Sequence, residues 1–398
     1  MPSARPRRVA VFVQLEIEHG QGILRGIAQT LRRHPHITVL KYNRTTGYDS
    51  AALRRERFDG IIAKVGTPAD ERTLRQLRVP VVNTSGQCAT PALPVVNTDD
   101  RTVGRLAAGH LLARGYAQLA YCGNRAHLAS QLRLRGLQEE TARRGGPKVL
   151  TAFLPFGDQV APYSEKQRVA LQRWLRTLPR QSGVFCFTDR VALEIDEACA
   201  ALGLRVPEDI GILGVGNDLT RLAFAHTDIS SIQLNAPAIG ALAAEAMLQA
   251  FAGKPPSPGT VLIAPRKIIT RKSTDHFAID DEVVTAALDH MRENAGNDIY
   301  VDEVARNVGV SRRALELRFR RALKSSVYAE AQRLHFERAI ELMADEHLTL
   351  GEIAYASGFG SSVIFSTMFR RRYAETPSAY RERLLGRALR EEPAGRPV

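Results

Sequence analysis

Between residues 7 and 269, short apolar runs alternate with stretches of helical periodicity, and from residue 281 onward that alternation stops. No other feature of the chain constrains its fold as much. Ten runs, at residues 9–13, 37–42, 60–65, 79–84, 95–98, 119–122, 149–153, 183–188, 210–214 and 231–234, are largely apolar rather than alternating. Strands of that kind are buried on both faces, as in a parallel sheet covered by helices. Helical patterns separate most of them, at 22–33, 102–114, 165–177, 190–202 and 236–251. In 102–114, for example, Val103, Leu106, Ala107, Leu111 and Leu112 share one side. Ten strands exceed a sheet of ordinary size, so two doubly wound α/β lobes are expected. The stretch GKPPSPG at 253–259 is a break, and one last strand is expected over 261–269. After it, residues 281–390 read as short helices only. The expected organisation is therefore an α/β domain at 1–270, a linker at 271–280 and an all-α domain at 281–398.

Composition excludes several classes. The four cysteines, Cys88, Cys122, Cys186 and Cys199, form no CxxC pair and read as reduced thiols. No apolar run approaches the ~20 residues of a membrane helix. The basic opening MPSARPRRVAVFV is followed by too short an apolar stretch for a secretion signal. A cytoplasmic protein with no membrane partner is expected. The formal net charge of +13 invites a nucleic-acid reading, but residues 281–398 hold 18 Lys+Arg and 18 Asp+Glu, so the whole excess lies before them. Local clusters must carry that argument.

Two such clusters lie in the helical tail. Ala305 is followed by Gly309 and then by Leu315 and Phe319; Ala354 is followed by Gly358 and then by Phe365 and Phe369. Each set places a small residue at a helix crossing, a glycine in the turn and two apolar anchors on the next helix, the spacing of a helix-turn-helix. Ser311 and Ser361 stand where the second helices should start, as favoured N-caps. The face opposite the anchors offers Arg312, Arg313, Glu316 and Arg320 in the first unit, flanked by Arg318, Arg321 and Lys324. In the second unit it offers Ser362, Val363, Ser366 and Thr367, followed by Arg370, Arg371 and Arg372. Small side chains can meet base edges and a thymine methyl, while the arginines sit where phosphates would be. A helix over 327–343 separates the units, so their recognition helices can enter successive major grooves about 34 Å apart.

These residues resemble the DNA-binding domain of the AraC/XylS family over roughly 281–385. The second unit, EIAYASGFGSSVIFSTMFRRRYAETPSAYR, carries the more specific signature: Gly358–Phe359, Phe365 with Phe369, Thr376–Pro377 and Tyr380–Arg381. In the first, SRRALELRFRRAL together with Arg333 and Ala339 carries the match. The alternative is a helical interaction module whose arginines lie on a solvated face.

The α/β part resembles the effector domain of LacI-type repressors, two-lobed relatives of periplasmic sugar-binding proteins. The matching stretches are VVNTDDRTVGRLAAGHLLARGYAQLAYCG, LRLRGL, FCFTDRVALE and ILGVGNDLTR. The resemblance implies a sugar cleft between two lobes, with Arg133, Asp189, Asn217, Asp218 and Glu16 as candidate effector contacts. Asp218 is a departure, because relatives often carry the acid where this chain has Gly216. Each candidate has a plainer reading: Asp189 as cap of the helix after it, Arg133 as one of several surface arginines. Asp99 and Asp100 read mainly as the N-cap of the 102–114 helix. Sensor and reader together imply a transcription regulator, most often an activator. Its expected partners are promoter DNA, a small sugar such as xylose or a related monosaccharide, a second copy of the chain and RNA polymerase.

Enzyme readings find less support. Gly20, Gly22 and Gly26 form GxGxxxG, off the dinucleotide fingerprint and too far past the first strand to place a pyrophosphate. There is no GxxxxGK[ST], HExxH or GxSxG, and the ten histidines show no metal-ligand spacing, so no cofactor, metal or catalytic residue is assigned. A sugar-binding or sugar-processing α/β protein with a helical interaction tail is the alternative function.

Overall fold

Twelve strands form two six-stranded sheets in the computed structural model, which describes residues 6–43, 47–88, 91–153, 163–254, 256, 258–274, 281–323, 325–343, 345, 347–373 and 375–384. The strands are β1 (Arg7–Phe12), β2 (Ile37–Tyr42), β3 (Gly60–Ala63), β4 (Val81–Asn83), β5 (Pro94–Thr98), β6 (Gln118–Gly123), β7 (Leu150–Phe153), β8 (Ser182–Cys186), β9 (Ile210–Val215), β10 (Ser230–Gln233), β11 (Gly259–Ile263) and β12 (Lys267–Ile269). The first sheet runs β11-β5-β4-β3-β1-β2 and the second β12-β10-β9-β8-β6-β7. Every pairing is parallel except β10 with β12.

Burial on both faces is visible in β1. Val9 and Val11 pack on one side with Ile23, Ile27 and Ile239, while Ala10 and Phe12 pack on the other with Leu53, Phe58 and Leu74. With no solvent face, the strand has no polar alternation, which is why it reads as a continuous apolar run. The covering helices approach one another at backbone contact distance. A Cβ on Gly26 would lie 1.9 Å from the carbonyl oxygen of Pro237, and one on Gly136 would lie 2.0 Å from that of Arg101.

Two expectations require correction. The strand expected over 261–269 is two strands in different sheets: β11 runs parallel to β5, and β12 runs antiparallel to β10. Pro265 between them has no N–H to give to a ladder. The chain therefore passes between the lobes three times, after β5, after β10 and between β11 and β12. Second, residues 271–274, expected in the linker, are built into the second lobe. Ser273 and Thr274 are fully buried in a 3₁₀ turn. The Ser273 hydroxyl donates to the Ile212 carbonyl at 2.6 Å, and Thr274 donates to Ser230 at 2.6 Å. The rest of that segment, 275–280, lies outside the described residues.

The chain divides into the units Met1–Ala278 and Ile279–Val398. The second is helical among its described residues: Glu282–Glu293, Val301–Asn307, Arg312–Leu323, Val327–Leu342, Leu350–Ala356, Ser362–Tyr373 and Pro377–Leu384. Leu315 and Phe319 are buried in its first half, and Phe365 and Phe369 join Phe336, Ile353, Phe359 and Tyr380 in its second. Helix Val327–Leu342 packs against Arg312–Leu323 on one side and Leu350–Ala356 on the other. No helix among the described residues is long and apolar enough to cross a membrane.

Candidate effector cleft and DNA-binding surface

A cavity of about 160 Å³ lies where the two lobes of the first unit face each other. The first lobe lines it at or beyond the C-terminal ends of its parallel strands, with Gln14 after β1, Lys64 after β3 and Thr84 after β4. From the second lobe come Arg133, Phe187, Asp189 and Asp218. Strand C-termini are where open α/β sheets bind ligands. The volume is below the ~300–1,000 Å³ of drug-sized sites and suits one sugar ring rather than several.

Three of the five residues expected to contact an effector line this cavity, and each is already engaged by protein. Arg133 is buried in helix Leu128–Arg143; its Nε donates to Asp100 Oδ1 at 2.8 Å and Nη1 donates to the Phe187 carbonyl. Burial pushes the Asp100 carboxyl up, and the Arg133 guanidinium opposes that shift. Asp99 and Asp100, read together as a cap, have separate roles. Asp99 caps the helix through the Thr102 amide at 3.0 Å, and Asp100 is a cavity-lining acid.

Asp189 does not cap its helix; Thr188 does, accepting from the Val191 amide. The carboxylate of Asp189 accepts from the Ser231 hydroxyl at 2.5 Å and from the Asp218 amide at 2.8 Å. Burial raises its pKa, and these two hydrogen bonds resist the rise. A Cβ at Gly214 would lie 2.3 Å from one Asp189 oxygen, and one at Gly216 would lie 3.1 Å from the other. Gly216, standing in place of the expected acid, holds a φ of 130°, where L side chains are rarely found, and is crowded by the Asp189 carboxylate. Asp218 lines the cavity and accepts from the Arg221 amide at 3.2 Å as cap of a short helix.

Glu16 and Asn217 do not line the cavity. The turn after β1 carries Glu16 to the surface, where it accepts from Asn43, and Glu18 and His19 reach the cleft instead. Asn217 accepts from Arg271 at 2.7 Å, holding the strand end next to the 3₁₀ turn. Residues overlooked in the sequence are His19, Lys64, Thr84 and Thr98. Lys64, Thr84 and Thr98 lie at or just beyond first-lobe strand ends, and His19 lies in the first turn of the helix Glu18–Leu31. Burial, then Lys64 and Arg133, lower the His19 pKa to about 4, so the ring is neutral. Burial also lowers the pKa of Lys64, whose Nζ donates to Gln14 Oε1 at 3.3 Å.

In the second unit, Ser311 and Ser361 accept from the amides of Ala314 and Val363 at 3.2 Å each, starting the two expected recognition helices. Gly309 and Gly358 take φ of 69° and 75° in the turns before them. Arg313 and Arg320 are exposed, while Arg312 is tied to Asp302 at 3.0 Å and Arg318 to Asp281 at 2.8 Å. Glu316 is half-buried. The basic stripe is therefore narrower than its sequence count of arginines, and Lys324 lies outside the described residues. On the second helix, Ser362, Val363, Ser366, Thr367, Arg370 and Arg371 are all exposed, and Val363 is 72% exposed. Leu317 and Ile364 add exposed apolar side chains to the two helices. On the helix Val327–Leu342, between the two helix-turn-helix motifs, Arg333 is buried and pairs with the buried Glu330 and the exposed Glu337, each at 2.7 Å. Burial works against its charge, but the two carboxylates hold its pKa above the ordinary value.

Two family descriptions match the chain: a periplasmic binding protein-like domain over residues 108–274 and a helix-turn-helix domain over residues 304–383. The xylose operon regulatory protein of Escherichia coli (strain K12) is 29% identical over 336 residues, covering 81% of this chain and 84% of the relative. Its namesake in Haemophilus influenzae is 24% identical over 383 residues, covering 94% and 98%. Among solved structures, that of the xylose-binding transcription activator xylR superposes with a TM-score of 0.61 at 24% identity, covering 96% of this chain and 99% of that one. The last likeness is one of fold.

Proposed function

We propose that this chain, a sugar-responsive DNA-binding transcription regulator with a periplasmic-binding-protein-like sensor and an AraC-type helix-turn-helix reader, takes xylose or a closely related monosaccharide in its cleft and controls sugar-catabolism genes, as an activator. One observation carries the reading. The chain joins a ring-sized cleft at strand C-termini to two helix-turn-helix units, each with an exposed face on its second helix. The relatives' names supply the sugar. The protein acts in the cytoplasm as a homodimer that meets paired half-sites and RNA polymerase.

The three passages between the lobes act as a hinge, and a ligand that touches both walls favours closure. Only a difference in affinity between two states can drive such a switch, typically ~1–3 kcal/mol, or about 5–150-fold in DNA affinity. Fluorescence anisotropy of the full chain on promoter DNA, with and without D-xylose, measures it. A binding curve unmoved by xylose and by its stereoisomers would refute the sensor half of the reading.

On the DNA side, Arg313→Ala is expected to relax sequence preference, because its side chain is exposed on the recognition helix and reads base edges in this assignment. Arg371→Ala is expected to weaken binding to all sequences alike and to flatten the salt dependence by about one unit of slope. Titrations on specific and scrambled duplexes at several salt concentrations separate the two. Sequence-blind losses of equal size in both variants would overturn this division.

A further inference from the structure

The two walls of the cleft differ in how their polar atoms are occupied. On the second-lobe side, Arg133 is held by Asp100 and the Phe187 carbonyl, and Asp189 by Ser231 and the Asp218 amide. On the first-lobe side Gln87 and Glu18 are engaged by protein, but three other polar atoms are not. Thr84 Oγ1, Thr98 Oγ1 and His19 Nδ1 are buried with no hydrogen-bond partner, and all three residues line the same cavity. Thr84 is 3% exposed and Thr98 4%. Beside them, the Lys64 ammonium has three protons and makes one contact of 3.3 Å to Gln14 among the described residues.

Buried polar groups are paired in the great majority of cases, so three unpaired ones converging on one small cavity point to function rather than packing. Their chemistry is also specific. A threonine hydroxyl both donates and accepts, a neutral imidazole nitrogen does one or the other, and an ammonium only donates. Ring hydroxyls donate and accept in the same way, so this set suits a polyhydroxyl ligand better than a purely anionic or apolar one.

We propose that the first-lobe wall is the ligand-reading surface, with His19, Thr84 and Thr98 hydrogen-bonding to sugar hydroxyls and Lys64 donating to a further sugar oxygen. Arg133, Asp100 and Asp189 shape the opposite wall. The assignment rests on the reading of the cleft as a monosaccharide site, and it deepens that reading by naming the residues that discriminate between sugars.

Thr84→Val and Thr98→Val, each of nearly unchanged volume, are the test. Titration calorimetry with D-xylose, D-ribose, L-arabinose and D-glucose is run on the full chain, on each variant and on Glu16→Gln as an off-site control. Each Thr→Val substitution is expected to weaken the preferred sugar about three- to tenfold. The unliganded melting temperature should hold or rise, because an unpaired buried hydroxyl is removed. A structural role would move the two readouts together, so affinity and melting temperature falling in step would overturn the assignment. So would wild-type affinity in both threonine variants, while leaving the cleft a sugar site. Should the wild-type chain bind none of the four sugars, the monosaccharide reading falls and takes this assignment with it.

Discussion

Arg133→Ala is expected to cost the sensor about 3–5 kcal/mol of stability at neutral pH, the usual penalty for removing one partner of a buried ion pair. Arg133 is 6% exposed and Asp100 3%. Without the guanidinium, the Asp100 carboxylate is left in a low-dielectric wall with its principal counter-charge gone, and the Phe187 carbonyl loses its donor. Burial already raises the Asp100 pKa in the intact protein, and removing Arg133 raises it further. An acid whose folded-state pKa lies above its unfolded value is destabilising while ionised and is relieved as pH falls through the folded pKa. The deficit of the variant should therefore shrink under acid conditions. Urea denaturation of wild type and variant at neutral and mildly acid pH reads both effects. The double replacement Arg133→Met with Asp100→Leu should recover most of the loss, since it leaves no charge behind. A single-variant cost under about 1 kcal/mol would show the pair to be screened as surface pairs are.

Gly358→Ala is expected to disable the second helix-turn-helix, whereas Gly309→Ala should only weaken the first. Both glycines sit in the left-handed region, where an L side chain costs roughly 1–2 kcal/mol. Their surroundings differ. A Cβ on Gly358 would lie 2.6 Å from His335 Nε2 and 2.7 Å from the Asn297 carbonyl oxygen, while one on Gly309 meets nothing within 4 Å. The Asn297 atom is backbone, and His335 is held by its own 3.1 Å contact to that same carbonyl, so neither yields readily. Overpacking of that kind adds about 1–3 kcal/mol. Circular dichroism melts together with DNA affinity distinguish the two variants. Equal effects at both positions would mean that backbone conformation alone decides, and that the packing of His335 against Phe359 is incidental.

The recognition helices were legible in the sequence because their determinants are local. Gly358, Phe365 and Phe369 fall within twelve residues of one another, and the helical period alone aligns the two anchors on one face. The strands were legible because burial on both faces leaves no polar alternation. The division of 261–269 was not, because the two halves differ in which sheet accepts them rather than in composition. Arg312 and Arg318 were equally opaque: both belong to the basic run, and only their distances to Asp302 and Asp281 remove them from the set of unpaired cations.

The cleft shows the same boundary more sharply. Arg133, Asp189 and Asp218 were found by likeness of pattern, and all three do reach the cavity. Asn217 sits beside Asp218 in the chain yet serves Arg271, 54 positions away, instead of a ligand. What the amino-acid order determined by itself was the kind and succession of elements, since periodicity, caps and turn residues act over a few neighbouring positions. What only the tertiary structure decided was which polar atoms are already paired. Lys64, Thr84 and Thr98 come from three separate strand ends and His19 from the first turn of a helix, and a hydrogen bond forms or fails over about an ångström, a distance set by strand order and helix packing rather than by adjacency in the chain.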